Sequence, residues 1–204
     1  QVKHLPAITD PKKLGELLRA IDGYSGRPVT MIALRLTPHL FQRPGEIRKM
    51  EWNEVNFEKA IWTIPTIKMK QRQPHHVPLS NQSLAMLKEI MELRMSDKFV
   101  FSALGKPQKP MSENAVVGAL RRLDYSGNEM SAHGFRTTAS SLLNESGKWN
   151  PDAIERALSH VDRNEIRRTY NRTEYWDERV KMAQWWSDYL DKLKNPILSA
   201  DSSP

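Results

Sequence analysis

Between Val55 and Leu79 the sequence abandons the helical period that governs it on either side, and no other feature constrains the fold as much. Phe57, Ile61, Trp62, Ile64 and Ile67 are β-branched or aromatic residues in short runs, interrupted by Pro65 and followed by Val77-Pro78-Leu79. They predict a small antiparallel sheet over 55–79, with KMKQRQPHH as its polar, basic turn.

Helical stripes flank that stretch. Asp10-Pro11 precedes Leu14, Leu17, Leu18 and Ile21, an i, i+3, i+4, i+7 pattern with an N-cap acid and a first-turn proline, stopped by Gly23. A second helix runs from Pro28 to Leu40, and a third short one from Glu46 to Trp52. Ser80 is set to cap a helix carrying Leu84, Leu87, Ile90 and Leu93, followed by a brief extended segment at Phe99-Val100-Phe101. Further helices are predicted at Ala115–Leu123 behind Ser112, at Gly134–Leu143, Pro151–Leu158 and Asn164–Tyr170, and in a long amphipathic stretch from Glu174 to Leu193. The expected fold is therefore mainly α with a small antiparallel β-sheet, an α+β domain over 1–194 with a flexible tail at 195–204.

Composition narrows the chemistry. With no cysteine in 204 residues, disulfide frameworks, thiolate zinc sites and cysteine nucleophiles are excluded, and a reducing cytoplasm suits the chain. Lys and Arg number 31 against 24 Asp and Glu, a formal charge of +7 that favours a polyanionic partner, nucleic acid first. No apolar run approaches the ~20 residues of a membrane span, so no membrane partner is expected. The start QVKHLPAITD has neither a signal peptide nor an initiating Met and reads as an internal piece of a longer chain.

Within this frame, basic and hydroxyl side chains stand in structure-breaking contexts. Arg43 precedes Pro44-Gly45-Glu46, which pushes its backbone extended at a helix start. Lys70 lies in the basic turn with Lys68, Arg72, His75 and His76 around it. His133 and Arg136, three apart in SAHGFRTTASS, share one face at the start of a helix, where backbone N–H groups also favour an anion. His160 follows a short helix in ALSHVDRN. Ten residues on, Tyr170 is flanked by Arg167, Arg168 and Arg172, whose positive field would lower a phenol's pKa from its usual ~10. Each has a bland alternative: a surface arginine, a solvated loop, a capping histidine, an aromatic ring packed on arginine stems. Together they describe a phosphoryl-transfer site without metal. Two arginines clamp the nonbridging oxygens, histidines hydrogen-bond or shuttle a proton, a lysine protonates the departing oxygen, and tyrosine attacks. No carboxylate cluster supports metal-assisted hydrolysis, although His75-His76 keeps it formally open.

The order RPGEI, a lysine hairpin ending in VPLS, then HGFR, LSH and YNR resembles the catalytic domain of phage-type tyrosine recombinases, notably the integrases of satellite phages and genomic islands, over about residues 10–190. The resemblance implies that Arg43 and Arg136 are the paired phosphate-clamping arginines and Lys70 the general acid. It makes His133 and His160 the site histidines and Tyr170 the nucleophile. It implies no cofactor and a double-stranded DNA partner. It also implies a tetramer on DNA from a domain that is monomeric alone, a bacterial cytoplasm, and DNA-binding modules upstream. Lys70 is preferred to Lys68 for its seven-residue distance to Val77, and Tyr170 to Tyr175 for its YNR context. Two readings compete with recombination: a type IB topoisomerase, which rejoins the same strand, and a non-catalytic DNA-binding protein. Trp185-Trp186 in the last helix fits either plain core or a segment exchanged between neighbours.

Overall fold

Asp10 opens the first helix as the sequence requires: its carboxylate accepts from the Lys13 N–H at 2.8 Å, and α1 runs Pro11–Asp22 with Leu14, Leu17, Leu18 and Ile21 buried. This structure, a computed structural model, describes residues 6–69, 73–93, 95–159 and 175–195. The expected helix at Asn164–Tyr170 and the tail beyond Asn195 lie outside them.

Helix α2, Pro28–Leu40, is the wall between two hydrophobic cores. Leu34, with Phe41 just beyond the helix, faces the first core, while Val29, Ile32, Ala33, Leu36 and Leu40 face the second. Phe41 ends α2 in the left-handed region (φ 41°), and its N–H closes on the Thr37 carbonyl at 3.1 Å. That reversal delivers Gln42 and Arg43 to the start of α3, Pro44–Arg48.

Helix α3 is shorter than the stretch to Trp52 that the sequence suggests. Past Arg48 the backbone groups pair with residues 98–100 instead: Val100 N–H donates to Met50 O, Trp52 N–H donates to Lys98 O, and Glu51 bridges Phe99. A 3-10 turn, Trp52–Glu54, leads into β1 (Val55–Asn56), β2 (Ile61–Ile64) and β3 (His75–Pro78), an antiparallel sheet in the order β1-β2-β3 with Trp62 opposite Val77. Trp62 and Ile64 alternate into the second core. Ile67 does not join them; it sits almost fully exposed in a 3-10 turn, Thr66–Lys68, imposed by Pro65. Helix α4, Asn81–Glu92, is capped by Ser80 and covers the same core through Met86, Leu87 and Ile90.

A second hairpin, β4 (Ser102–Ala103) with β5 (Lys106–Pro110), was not legible in the sequence. Its return strand KPQKP is mostly exposed and lacks the apolar alternation that marks a strand, and its turn depends on Gly105 at φ +65°. Then follow α5 (Ala115–Arg122), α6 (Gly134–Glu145), α7 (Pro151–Ala157) and a long last helix α8 (Trp176–Lys194). Helix α8 drives Met182, Trp186 and Leu190 into the first core, and Trp186 Nε1 donates to Pro38 O at 2.8 Å. Trp186 is thus core within its own chain, whereas Trp185 stacks on Tyr189 at 5.2 Å. Helices α1 and α8 touch so closely that a Cβ on Gly15 would lie 2.4 Å from Leu193 O, and Arg19 Nη1 caps the end of α8 at the Leu193 and Lys194 carbonyls. Among the described residues no helix is long and apolar enough to cross a membrane.

Candidate active site

A helix leaves its last carbonyls without intrahelical donors, and the way α7 satisfies them organises the site. Ala157 O accepts from Gln42 Nε2 at 2.9 Å and from His75 Nε2 at 3.2 Å. Leu158 O accepts from Arg136 Nη2, and Ser159 O accepts from Arg43 Nη2 at 3.2 Å. Three successive carbonyls, at the negative end of the helix dipole, therefore receive four side chains from α3's N-terminus, α6 and β3. Ser159 turns the chain into the left-handed region (φ 52°), and the next residue in the sequence is His160.

Each arginine arrives by a local rule. Arg43 is the N-cap of α3 with an extended backbone (φ −63°, ψ 136°), as a residue before proline must be. Glu46, buried three residues on, accepts from its backbone N–H at 3.1 Å and from its Nη1 at 2.9 Å. Glu46 so holds both the main chain and the head group of Arg43. The arginine–acid spacing in RPGE carries that signal in the sequence, beyond the helix start that Glu46 marks. Arg43 retains 28% side-chain exposure, enough to meet a ligand from solvent.

Arg136 occupies the third position of α6 and is buried at 3% exposure, with Nη1 also aimed at Phe41 O, 3.4 Å away. Burial, reinforced by the Arg43 charge, lowers its pKa to about 10, which leaves it protonated at neutral pH. Two guanidiniums with the single Glu46 carboxylate hydrogen-bonded to one of them form a positive site suited to a phosphodiester anion. His133 is the partly buried N-cap residue of α6, and its carbonyl accepts the Arg136 N–H at 3.0 Å. The first amide of α6 does not face an anion as the sequence suggested: Gly134 N–H goes to the carbonyl and the hydroxyl of Ser131, both at 2.9 Å. Lys70, His160 and Tyr170 lie outside the described residues.

Lys68, the rival lysine, is fully engaged elsewhere. Its Nζ donates to Lys49 O at 2.7 Å, to Glu51 at 2.9 Å and to Glu54. Tyr175, the rival tyrosine, is the left-handed N-cap of α8 (φ 48°), and its carbonyl accepts from Arg179 N–H at 2.8 Å.

His75 and His76 depart most from expectation. They belong to β3 rather than to the solvated turn, paired opposite Ile64 and Thr63. Successive strand residues point to opposite faces, so the two imidazoles cannot share one metal ion. His76 Nδ1 lies 3.1 Å from Thr63 Oγ1 and its ring packs edge-on to Trp176. Arg179, buried, donates to His76 O from α8. His75 points inward; burial, with the nearby Arg179 and Arg136 charges, lowers its pKa to about 3, so its proton-bearing Nε2 is that of a neutral ring. His39, buried in α2 with Nδ1 2.8 Å from Ser187 Oγ, is lowered by burial to about 4.

These two histidines make the fold acid-sensitive. Between pH 6.5 and their folded pKa values the unfolded chain binds protons that the folded chain refuses, so stability is full above 6.5 and falls as pH falls. Each should contribute a loss of about 2 kcal/mol by pH 5. Urea denaturation at pH 7.5 and pH 5 checks this; an unchanged midpoint would contradict it.

Comparison with known proteins adds ancestry to this geometry. Residues 8–176 match the model of the phage integrase family. The chain is 42% identical to the IntB protein of Escherichia coli (strain K12) over 97% of its own length and 53% of that protein. It is 38% identical to the integrase of Enterobacteria phage P4 over 98% of its length and 48% of that protein. It thus spans about half the length of the curated relatives it matches. Among solved structures, the integrase from mycobacterium phage Brujita superposes with a TM-score of 0.64 at 13% identity, covering 95% of this chain and 65% of that one. A lambda integrase dimer bound to a COC′ core site gives 0.59 at 14%, over 85% and 62%. Both likenesses are of fold: helices around small antiparallel sheets.

Proposed function

Since this chain belongs to the phage integrase family, we propose that it is the catalytic domain of a tyrosine recombinase that performs site-specific DNA recombination through a covalent 3′-phosphotyrosyl intermediate, without metal. The observation that carries the reading is the meeting of Arg43 and Arg136 on the last carbonyls of α7, one residue ahead of His160. In that site the guanidiniums bind the two nonbridging oxygens of the scissile phosphate and offset the charge that grows on them in the transition state. The Tyr170 oxygen attacks phosphorus and its proton passes to the histidines His133 and His160. The bond from phosphorus to the 5′ oxygen breaks, and Lys70 protonates the departing oxygen. The phosphotyrosyl ester stores the energy of the broken diester, and the 5′-hydroxyl of a partner strand reverses the step, so no nucleotide cofactor is required.

The partner is double-stranded DNA in the cytoplasm of a bacterial host, which the charge of +7 suits. Recombination of two duplexes needs four active sites, so four protomers assemble on DNA while the domain alone is monomeric. A lambda integrase tetramer bound to a Holliday junction, of the same fold, supports that stoichiometry.

The test is a duplex carrying the attachment core, nicked so that the cleaved fragment diffuses away, incubated in excess chelator. A protein–DNA species that survives detergent is expected. Tight binding with no such species would instead establish a non-catalytic DNA-binding protein, and relaxation of supercoiled DNA lacking the core would establish a topoisomerase.

A further inference from the structure

The α7 terminus is held by two kinds of donor, and the division between them is informative. Leu158 O and Ser159 O take the charged guanidiniums, whereas Ala157 O takes two neutral donors, Gln42 and His75. A carbonyl has two acceptor lone pairs, and here both are used. Gln42 is 2% exposed and His75 8%, so neither donor is a surface side chain. They reach Ala157 from different elements: Gln42 adjoins Arg43, and its Nε2 also donates to Leu40 O at 3.2 Å, while His75 begins β3. A cation in either position would repel the two arginines and compete for the anion they bind.

We propose that His75 and Gln42 are positioning residues: by fixing the Ala157 carbonyl from two sides, they set the end of α7 against which Arg43 and Arg136 are oriented toward the phosphate. This rests on the recombinase reading. One bond each from Leu158 and Ser159 directs the arginines, and the two carbonyls follow Ala157 directly, so a shift of the 157–159 backbone moves both guanidiniums together. A misplacement of about 1 Å in such groups costs roughly a hundredfold in rate. Ala157 keeps a partner when either donor is removed alone, so single losses should be partial and the double loss disproportionate.

The variants are His75→Phe, which keeps a flat ring without the N–H, His75→Gln, which restores a neutral donor, Gln42→Leu, and the double His75→Phe/Gln42→Leu. Single-turnover cleavage of the nicked core duplex at saturating protein is measured alongside duplex affinity. The same duplex with a methylphosphonate at the scissile position, which lacks one nonbridging negative charge and so relieves the need for the arginines, is the diagnostic substrate. Each single variant should cleave the phosphodiester about fivefold more slowly, and the double about a hundredfold, beyond the roughly 25-fold that two independent losses would give, with affinity unchanged within about twofold. His75→Gln should recover most of the rate, and the deficit should shrink to about twofold on the methylphosphonate. If wild type forms no adduct, the recombinase reading falls and this role with it. If wild type forms adduct but His75→Phe and Gln42→Leu cleave as fast, or lose equally on both substrates, the positioning role alone is overturned. Should His75→Phe fail to fold, Gln42→Leu and His75→Gln decide the matter by the same two-substrate comparison.

Discussion

Tyr170→Phe is expected to abolish the covalent protein–DNA species while leaving duplex binding intact. Phenylalanine keeps the ring and removes only the phenol oxygen to which the proposed function assigns the attack on phosphorus, so the expected loss is chemical. Deleting a nucleophile from a preorganised site costs on the order of 10⁴–10⁶-fold. Tyr175 is not expected to substitute, since its backbone is fixed at the N-cap of α8 in a left-handed conformation with its carbonyl tied to the Arg179 N–H. Tyr175→Phe should therefore retain adduct formation. Detergent gels of both variants on the nicked duplex make the comparison, and a full-strength adduct from Tyr170→Phe would remove the assigned nucleophile.

Arg136→Lys should reduce cleavage by about 10²–10³-fold with little change in DNA affinity. The charge is kept, so the electrostatic part of binding survives. What is lost is the planar fork, which reaches Leu158 O and Phe41 O together while presenting further N–H groups to a phosphate. Burial lowers the arginine itself to about 10. A buried ammonium starts from ~10.4, below a guanidinium, and the same burial and the same Arg43 charge push it down further. The lysine variant should therefore lose its charge, and its residual rate with it, as pH rises through values at which the wild-type arginine stays protonated. A pH–rate profile from 6.5 to 9 separates the two; parallel profiles would show that the environment of Arg136 does not discriminate charge.

How much of this was legible beforehand follows from where the information sits. Helices such as α1, with Asp10, Pro11 and a stripe of leucines, announce themselves because capping and burial both act through side chains. Helix α3 ended early and β4–β5 went unseen because main-chain pairing with residues distant in sequence decided them, at Met50 with Val100 and at Ala103 with Lys106. The site divides in the same way. Arg43 and Arg136 could be picked out by their contexts, but what brings them together is a pair of successive carbonyls just past α7, at Leu158 and Ser159, and a carbonyl belongs to every residue and leaves no mark in a sequence. His75 was misjudged because a run of polar residues before VPLS looks solvated until β2 is laid beside it, when alternation turns one imidazole inward. Glu46, by contrast, was within reach of sequence reasoning as an acid three residues after Arg43.

Helix α2 has a consequence for how this chain tolerates change. Both halves of the interior press against it, and its last turn hands the chain directly to Gln42 and Arg43. Loosening either half, even at a side chain far from DNA such as Trp62 or Trp186, tilts that helix and displaces the same corner. Hydrophobic substitutions that the chain survives as a folded protein should therefore surface first as slow strand cleavage, and a screen for heat-sensitive recombination would gather hits from the two interiors alike.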